Sequence, residues 1–360
     1  MARRFAMRLA AMIVTCGLWI APVAAAPPVF DSLGIVEQWL LPAYDRLADD
    51  TAAQQSAWSA FCAAPQAAAV PGLQAAFDAA ADDWNAIEFV TFGPVMLSLR
   101  ADRFNLFPDR RNGVERAIAE VLAAEDFDAR VAPERFARSS AAVQGLPALE
   151  RLLYGEGAAD KLLAGVPEAA RRCALGRAIA GNLAAIARDI RAGWGSRSEG
   201  LLAQLAAGRA DPVFFPDPAA LPSLIVTDLA GAYQRAVDTR LLPVLGTGPD
   251  EARPQLGERW RSGRSGHVVA VMVGSANALV GRIAAALPSR PQAVVEKARA
   301  GAQAAAAALP ADLAPAVADP AARVRLDAAV KAFKVVQRAV YRPIATYYGI
   351  PLGFNALDGD

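Results

Sequence analysis

Apolar residues recur at every third or fourth position along most of this chain, the period of an amphipathic helix, and no segment alternates singly as a half-buried strand would. Ala and Leu, both strong helix formers, fill many of these positions. The pattern predicts helices over residues 33–62, 72–92, 113–124, 133–154 with a break, 167–194, 221–245, 265–287, 292–309 and 320–348. Most of them begin or end beside Pro or Gly, the residues that punctuate helices. Residues 195–222 carry Gly200, Gly208, Pro212, Pro216 and Pro218 and form the expected boundary between two groups of helices, although 199–207 is itself a candidate short helix. Four or five helices on each side suit a bundle. The expected fold class is therefore all-α, with two helical-bundle domains over 26–200 and 201–360 behind a leader at 1–25. Leu40-Leu41-Pro42 and Leu241-Leu242-Pro243 hint that the two halves arose by duplication.

The leader has Arg3, Arg4 and Arg8, then an apolar run from Leu9 to Ile20, then small residues to Ala26, the layout of a secretory signal peptide cleaved after Ala25. A retained anchor is the alternative, with an apolar stretch barely long enough to cross a bilayer. Cys16 has no small residue before it and does not read as a lipid-modified cysteine. Export to the periplasm is expected, and it changes the charge balance. Loss of three arginines takes the 37 basic residues to 34 against 36 acidic ones, and without a basic stripe nucleic acid is excluded as a partner. Cys62 and Cys173 then remain. In an oxidising compartment an even count favours a disulfide, which would close a loop of about 110 residues, with two separate buried thiols as the alternative.

Four segments carry candidate chemistry. The tail Gly353-Phe354-Asn355-Ala356-Leu357-Asp358-Gly359-Asp360 combines turn-permitting glycines with oxygen ligands, so it reads either as a structural plug or as part of a site. Glu88 follows the stripe Phe77, Ala80, Trp84, Ile87 at helical spacing and faces the core or its margin, where an ionised carboxylate needs a cation, a metal or a proton. Arg100 and Arg103 are the arginines nearest in sequence to neutralise it. In Gly145-Leu146-Pro147-Ala148-Leu149-Glu150 the proline breaks the helix and restarts it, placing Pro147, Glu150 and Tyr154 on one face. Arg259-Trp260-Arg261-Ser262-Gly263-Arg264-Ser265-Gly266-His267 gathers cations and hydroxyls before an apolar run. Ser265 is the expected N-cap there, and Arg261 and Arg264 are candidates to neutralise Glu88, Glu150 or the terminal aspartates, or to bind an anion. His267 is the only histidine, which excludes a His-rich zinc site, and no nucleophile elbow, phosphate loop or dinucleotide fingerprint occurs.

These segments, with Trp84 to Glu88 running into Gly93-Pro94, occur in the order found in the imelysin-like proteins, which the chain resembles over nearly its whole mature length. That family comprises exported bacterial proteins, some of them iron-regulated or associated with iron uptake. The resemblance implies two helical bundles related by duplication with a site where they meet. Family members typically show Gly-x-His-x-x-Glu, once interpreted as a metallopeptidase motif. Pro147 stands at the histidine position and Glu150 at the glutamate, so the chain looks like the histidine-lacking branch.

The expected function is a non-enzymatic periplasmic component that binds iron or an iron chelate, with a membrane iron-uptake component as partner. Its ligand-binding residues would be Glu88, Glu150, Arg261, Ser262, Arg264, Ser265, Asn355 and Asp358, with Glu88 and Glu150 as metal ligands and iron as the candidate cofactor. Two rival expectations stand beside it: a metal-dependent peptidase of the imelysin type, and a non-catalytic protein that docks to an outer-membrane component.

Overall fold

The computed structural model describes residues 28–109 and 111–351. The leader and the tail at 353–360, with Asn355 and Asp358, lie outside the described residues. Helix α1 (Leu41–Ala63) is preceded by a π turn over Val36–Leu40. Then follow α2 (Val70–Ile87), α3 (Gly113–Ala123), α4 (Leu146–Tyr154) and α5 (Ala169–Trp194). The second half holds α6 (Leu221–Gln234), α7 (Ser265–Ala284), α8 (Ser289–Ala307) and α9 (Pro320–Ala339). Among the described residues the one β feature is an isolated bridge between Asp211 and Phe215.

Each half closes into a ring of four helices. α1 packs on α2, α2 on α4, α4 on α5, and α5 returns to α1; α6, α7, α8 and α9 close in the same manner. The rings join where α2 lies against α7. One apolar cluster runs through both, from Ile35 to Tyr348, with Trp58, Phe77 and Trp194 in the first half and Tyr233, Met272 and Phe333 in the second fully buried. Close approach fixes the tightest seam. Gly176 of α5 faces Trp58 of α1, and a methyl group there would overlap the indole ring.

The two Leu-Leu-Pro segments share a local structure. Each follows a π turn, Val36–Leu40 in one half and Arg235–Leu241 in the other, and each places its proline in the first turn of the helix that continues. Proline lacks an amide and clashes with the preceding turn, so the chain widens just before it. A third π turn, Val340–Ile344, contains Pro343.

Cys62 and Cys173 form the disulfide, tying the end of α1 to the start of α5 across 111 residues. The predicted helices match in place, with shifted ends. The helix expected over 72–92 stops at Ile87, and Glu88 caps it. The region 133–154 breaks twice, at 137–140 and at Gly145, rather than once. The short helix expected over 199–207 is present as Gly200–Ala206. Ser265 is not an N-cap: it is the first residue of α7, and its hydroxyl accepts the Leu313 amide at 2.9 Å. The free amides of this first turn are satisfied from a neighbouring loop instead, since Gly266 and His267 both donate to the Ala311 carbonyl at 2.8 and 3.1 Å.

Candidate functional site

A cavity of about 220 Å³ opens between the two halves. Its walls come from the loop at 106–109, the start of α4, the π turn Arg235–Leu241 and the segment 255–261. Phe107, Pro147, Pro243 and Trp260 supply apolar surface, Arg151, Arg259 and Arg261 positive charge, and Asp109, Glu150, Asp238 and Glu258 negative charge. Placement of Glu150 follows from the helix break. Gly145 precedes α4 in extended backbone and packs so closely that a Cβ would lie 2.7 Å from the Phe104 carbonyl oxygen, and Pro147 occupies the first turn. Glu150 then sits one turn into the helix, 3% exposed.

Glu150 binds the opposite segment directly. Its Oε1 accepts the Ser262 amide at 3.0 Å and the Ser262 hydroxyl at 2.9 Å. The same hydroxyl lies 3.0 Å from the Arg259 carbonyl. Arg259 has φ +55°, a left-handed conformation that costs a non-glycine residue of order 1 kcal/mol or more. Its surroundings fix that geometry: the guanidinium donates to Asn105 Oδ1 at 3.0 Å and lies over the Phe77 ring at 5.5 Å.

A buried ionic quartet reaches from the cavity lining, where Glu258 and Arg259 belong to it, to Glu88 and Arg240 behind. Arg240 bridges the carboxylates of Glu88 and Glu258, and Arg259 approaches Glu258 at 3.6 Å. Asn105 links three of the four, donating to Glu88 Oε2 at 3.1 Å and to Glu258 Oε1 at 2.8 Å while it accepts from Arg259. Trp84 Nε1 donates to Glu88 at 3.2 Å, one helical turn back. Two anions and two cations make the quartet neutral. Burial pushes the Glu88 carboxyl above its ordinary range further than Arg240 pulls it down. Burial acts on Glu258 in the same sense, but Arg240, Arg259 and Asn105 together reverse it and hold Glu258 below the usual range.

The partner of Glu88 is therefore not one of the neighbouring arginines that the sequence offers. Arg100 turns to the Pro94 carbonyl and Asp189, and Arg103 to Gln144 and Asn182. Nor does Arg264 neutralise Glu88 or Glu150: it pairs with Asp82 at 2.6 Å and Asp78 at 3.4 Å, beside His267, whose Nε2 is 2.9 Å from Asp82. Arg264 and Ser265 stand apart from the cavity lining, and Ser262 reaches it through Glu150. Arg261 lines the cavity with its guanidinium 4.4 Å from the Trp260 ring centroid, and among the described residues no carboxylate lies within ion-pair distance of it. Arg240, Glu258, Arg259, Asn105 and Arg151 escaped the sequence reading as site residues. Arg259 and Trp260 lay inside a singled-out run, but nothing local marks Arg240, deep within a predicted helix.

Three of the four carboxylates that line this cavity already have donors, and the fourth, Asp238, is exposed, with no hydrogen bond or ion pair among the described residues. Glu150 holds Ser262, Glu258 holds Arg240 and Asn105, and Asp109 accepts Arg151 at 3.0 Å and the amides of Gly113 and Val114 at 2.7 and 3.1 Å. Among the described residues no group of three or more His, Cys, Asp or Glu could hold a metal ion. A bare hard cation wants several free carboxylate oxygens and so does not fit this lining. Anions fit better. Arg259 is 3% exposed and its Nε has no acceptor among the described residues, which leaves a buried donor in a cavity-lining arginine.

Fold and site together define an all-helical protein of two packed bundles with a charged cavity at their junction. The chain belongs to the imelysin family, whose model, named for a peptidase, matches residues 40–340. Two solved structures share the fold. An imelysin-like protein from Psychrobacter arcticum 273-4 is 19% identical, with a TM-score of 0.72 over 92% of this chain and 100% of that one. A protein described as an iron-regulated protein A precursor, from Parabacteroides distasonis ATCC 8503, is 14% identical, with a TM-score of 0.71 over 90% of this chain and 97% of that one. No curated protein matches the chain.

Proposed function

We propose that the protein is a periplasmic, non-enzymatic binding component of iron acquisition, and that its junction cavity takes the carboxylates of an anionic iron chelate rather than the bare ion. The observation that carries this reading is Arg261: a cavity-lining guanidinium stacked on Trp260, with no carboxylate paired to it among the described residues. Arg151 and Arg259 line the same space, and the apolar walls strengthen any charge-assisted hydrogen bond made there. Pro147 stands where the peptidase reading needs a histidine, and proline has no lone pair to offer a metal. The disulfide supports an oxidising, extracytoplasmic location, in keeping with the leader read from the sequence. The iron-regulated description of one structural relative supports the link to iron.

Isothermal titration calorimetry with ferric citrate, iron-free citrate and a weakly complexed ferric salt tests the proposal. Both citrate species should bind, and Arg261→Ala should weaken them about tenfold or more, the effect of losing a hydrogen bond to a charged group. Heat from the metal salt alone, unchanged by Arg261→Ala, defeats the reading, and so does silence with all three.

A further inference from the structure

A second concavity, of about 600 Å³, lies between α8 and α9, apart from the junction cavity. Its floor is made of small residues, Ala298, Gly301 and Ala332, and its sides include Val294 and Val335, which are 54% and 45% exposed. Lys297, Arg338 and Arg342 stand around it, all exposed and none with an ion pair or hydrogen bond among the described residues. The charge is segregated. α8, α9 and the π turn after them hold nine basic residues against two acidic ones, Glu296 and Asp327, in a chain whose formal net charge is +1. Arg299 is paired with Glu296 and Arg323 turns to the Leu245 and Val317 carbonyls, so the charge that lines the groove itself is Lys297, Arg338 and Arg342, with no Asp or Glu beside them in the lining.

We propose that this groove docks an amphipathic helix of a partner protein, one whose apolar stripe is flanked by Asp and Glu. Small floor residues let a third helix approach α8 and α9 closely, as ridges and grooves require. Gly301 shows the room directly, because a Cβ built there meets no atom within 4 Å. The unpaired cations on the rim match flanking carboxylates, which gives the contact its orientation and its on-rate. An anionic membrane fits less well. Bilayer binding uses protruding Trp, Phe and Leu side chains, whereas the apolar surface here is recessed and its exposed members are valines.

The test titrates the full-length protein into two fluorescent synthetic helices with the same leucine and alanine stripe, one flanked by glutamates and the other by lysines. Anisotropy should report binding of the glutamate helix only, weakening as salt rises. Both Arg338→Glu/Arg342→Glu and Gly301→Trp should reduce its affinity about tenfold or more. These positions are exposed, and unchanged thermal melts will show that the variants fold. Binding that survives Gly301→Trp is charge attraction without a groove and overturns the proposal. Failure of the glutamate helix to bind also overturns it. So does capture of the protein through these residues by phosphatidylglycerol vesicles more tightly than by the helix, or loss, in the substituted proteins, of a self-association seen in analytical ultracentrifugation.

Discussion

Glu150 of α4 holds Ser262 through one carboxylate oxygen, which accepts both the amide and the hydroxyl of a residue 112 positions further along the chain. The acceptor matters here more than the charge. Glu150→Gln keeps an oxygen in the same place and should change unfolding stability by less than about 1 kcal/mol. Glu150→Ala leaves the part-buried Ser262 amide without its acceptor, while the hydroxyl can still turn to the Arg259 carbonyl, and should cost about 1–3 kcal/mol. Urea melts of the two variants check the contrast. Equal losses would mean that the negative charge holds the loop.

Helix positions were legible in the sequence because period and punctuation are local properties. The helix break at Gly145 and Pro147 was legible for the same reason, and so was the inward orientation of Glu88. Partners were not legible. Arg240 lies 152 residues from Glu88, and although Pro243 marks the place where the backbone widens, nothing local says which residue 152 positions away the widened turn faces. Glu258 and Arg259 follow a Pro/Gly-punctuated loop, and Arg259 needs a left-handed backbone to reach Asn105, a conformation that single-sequence propensity argues against. Charges near in sequence suggested Arg100 and Arg103 for Glu88, but side-chain direction and burial sent them elsewhere.

Arg240 neutralises two buried carboxylates at once, so its removal should be among the costliest single changes in the protein. Arg240→Met leaves Glu88 and Glu258 facing each other without that cation, and a loss of about 3–5 kcal/mol is expected. Adding Glu88→Gln and Glu258→Gln to that background should recover part of the loss, because the repulsion disappears with the charges. Chemical denaturation of the single and triple variants measures this. A triple variant no more stable than Arg240→Met would show that packing of the guanidinium, rather than its charge, dominates.

The Cys62–Cys173 bond closes a loop of 111 residues, and the chain-entropy model assigns such a crosslink about 4–5 kcal/mol. The paired variant Cys62→Ser/Cys173→Ser should unfold at clearly lower denaturant. Its junction cavity should persist, since the bond joins α1 to α5 and neither helix lines that space. Unfolding curves with and without reductant, run beside the variant, check both statements: reductant should bring the native protein to the variant's curve and leave the variant unmoved.

Thr91 and Asp228 join the two halves at a second point, and that joint should titrate. The Thr91 amide donates to one carboxylate oxygen at 2.6 Å and its hydroxyl to the other at 2.8 Å. Burial nevertheless outweighs both bonds and pushes Asp228 up to about 6. A carboxyl raised in the folded state binds its proton more tightly there than in the unfolded chain. Its contribution to stability is fully present below the unfolded value near 4 and is lost as pH rises through about 6. Folding tightens the hold on that proton roughly a hundredfold, which corresponds to about 3 kcal/mol. Asp228→Asn cannot titrate and keeps an acceptor for Thr91, so the stability difference between the two proteins isolates this group from every other carboxyl. Measured by urea unfolding at intervals from pH 4 to 7, that difference should move in favour of Asp228→Asn by about 2–3 kcal/mol as pH rises. A flat difference would mean that Asp228 ionises at its ordinary value, with the two Thr91 bonds fully offsetting burial.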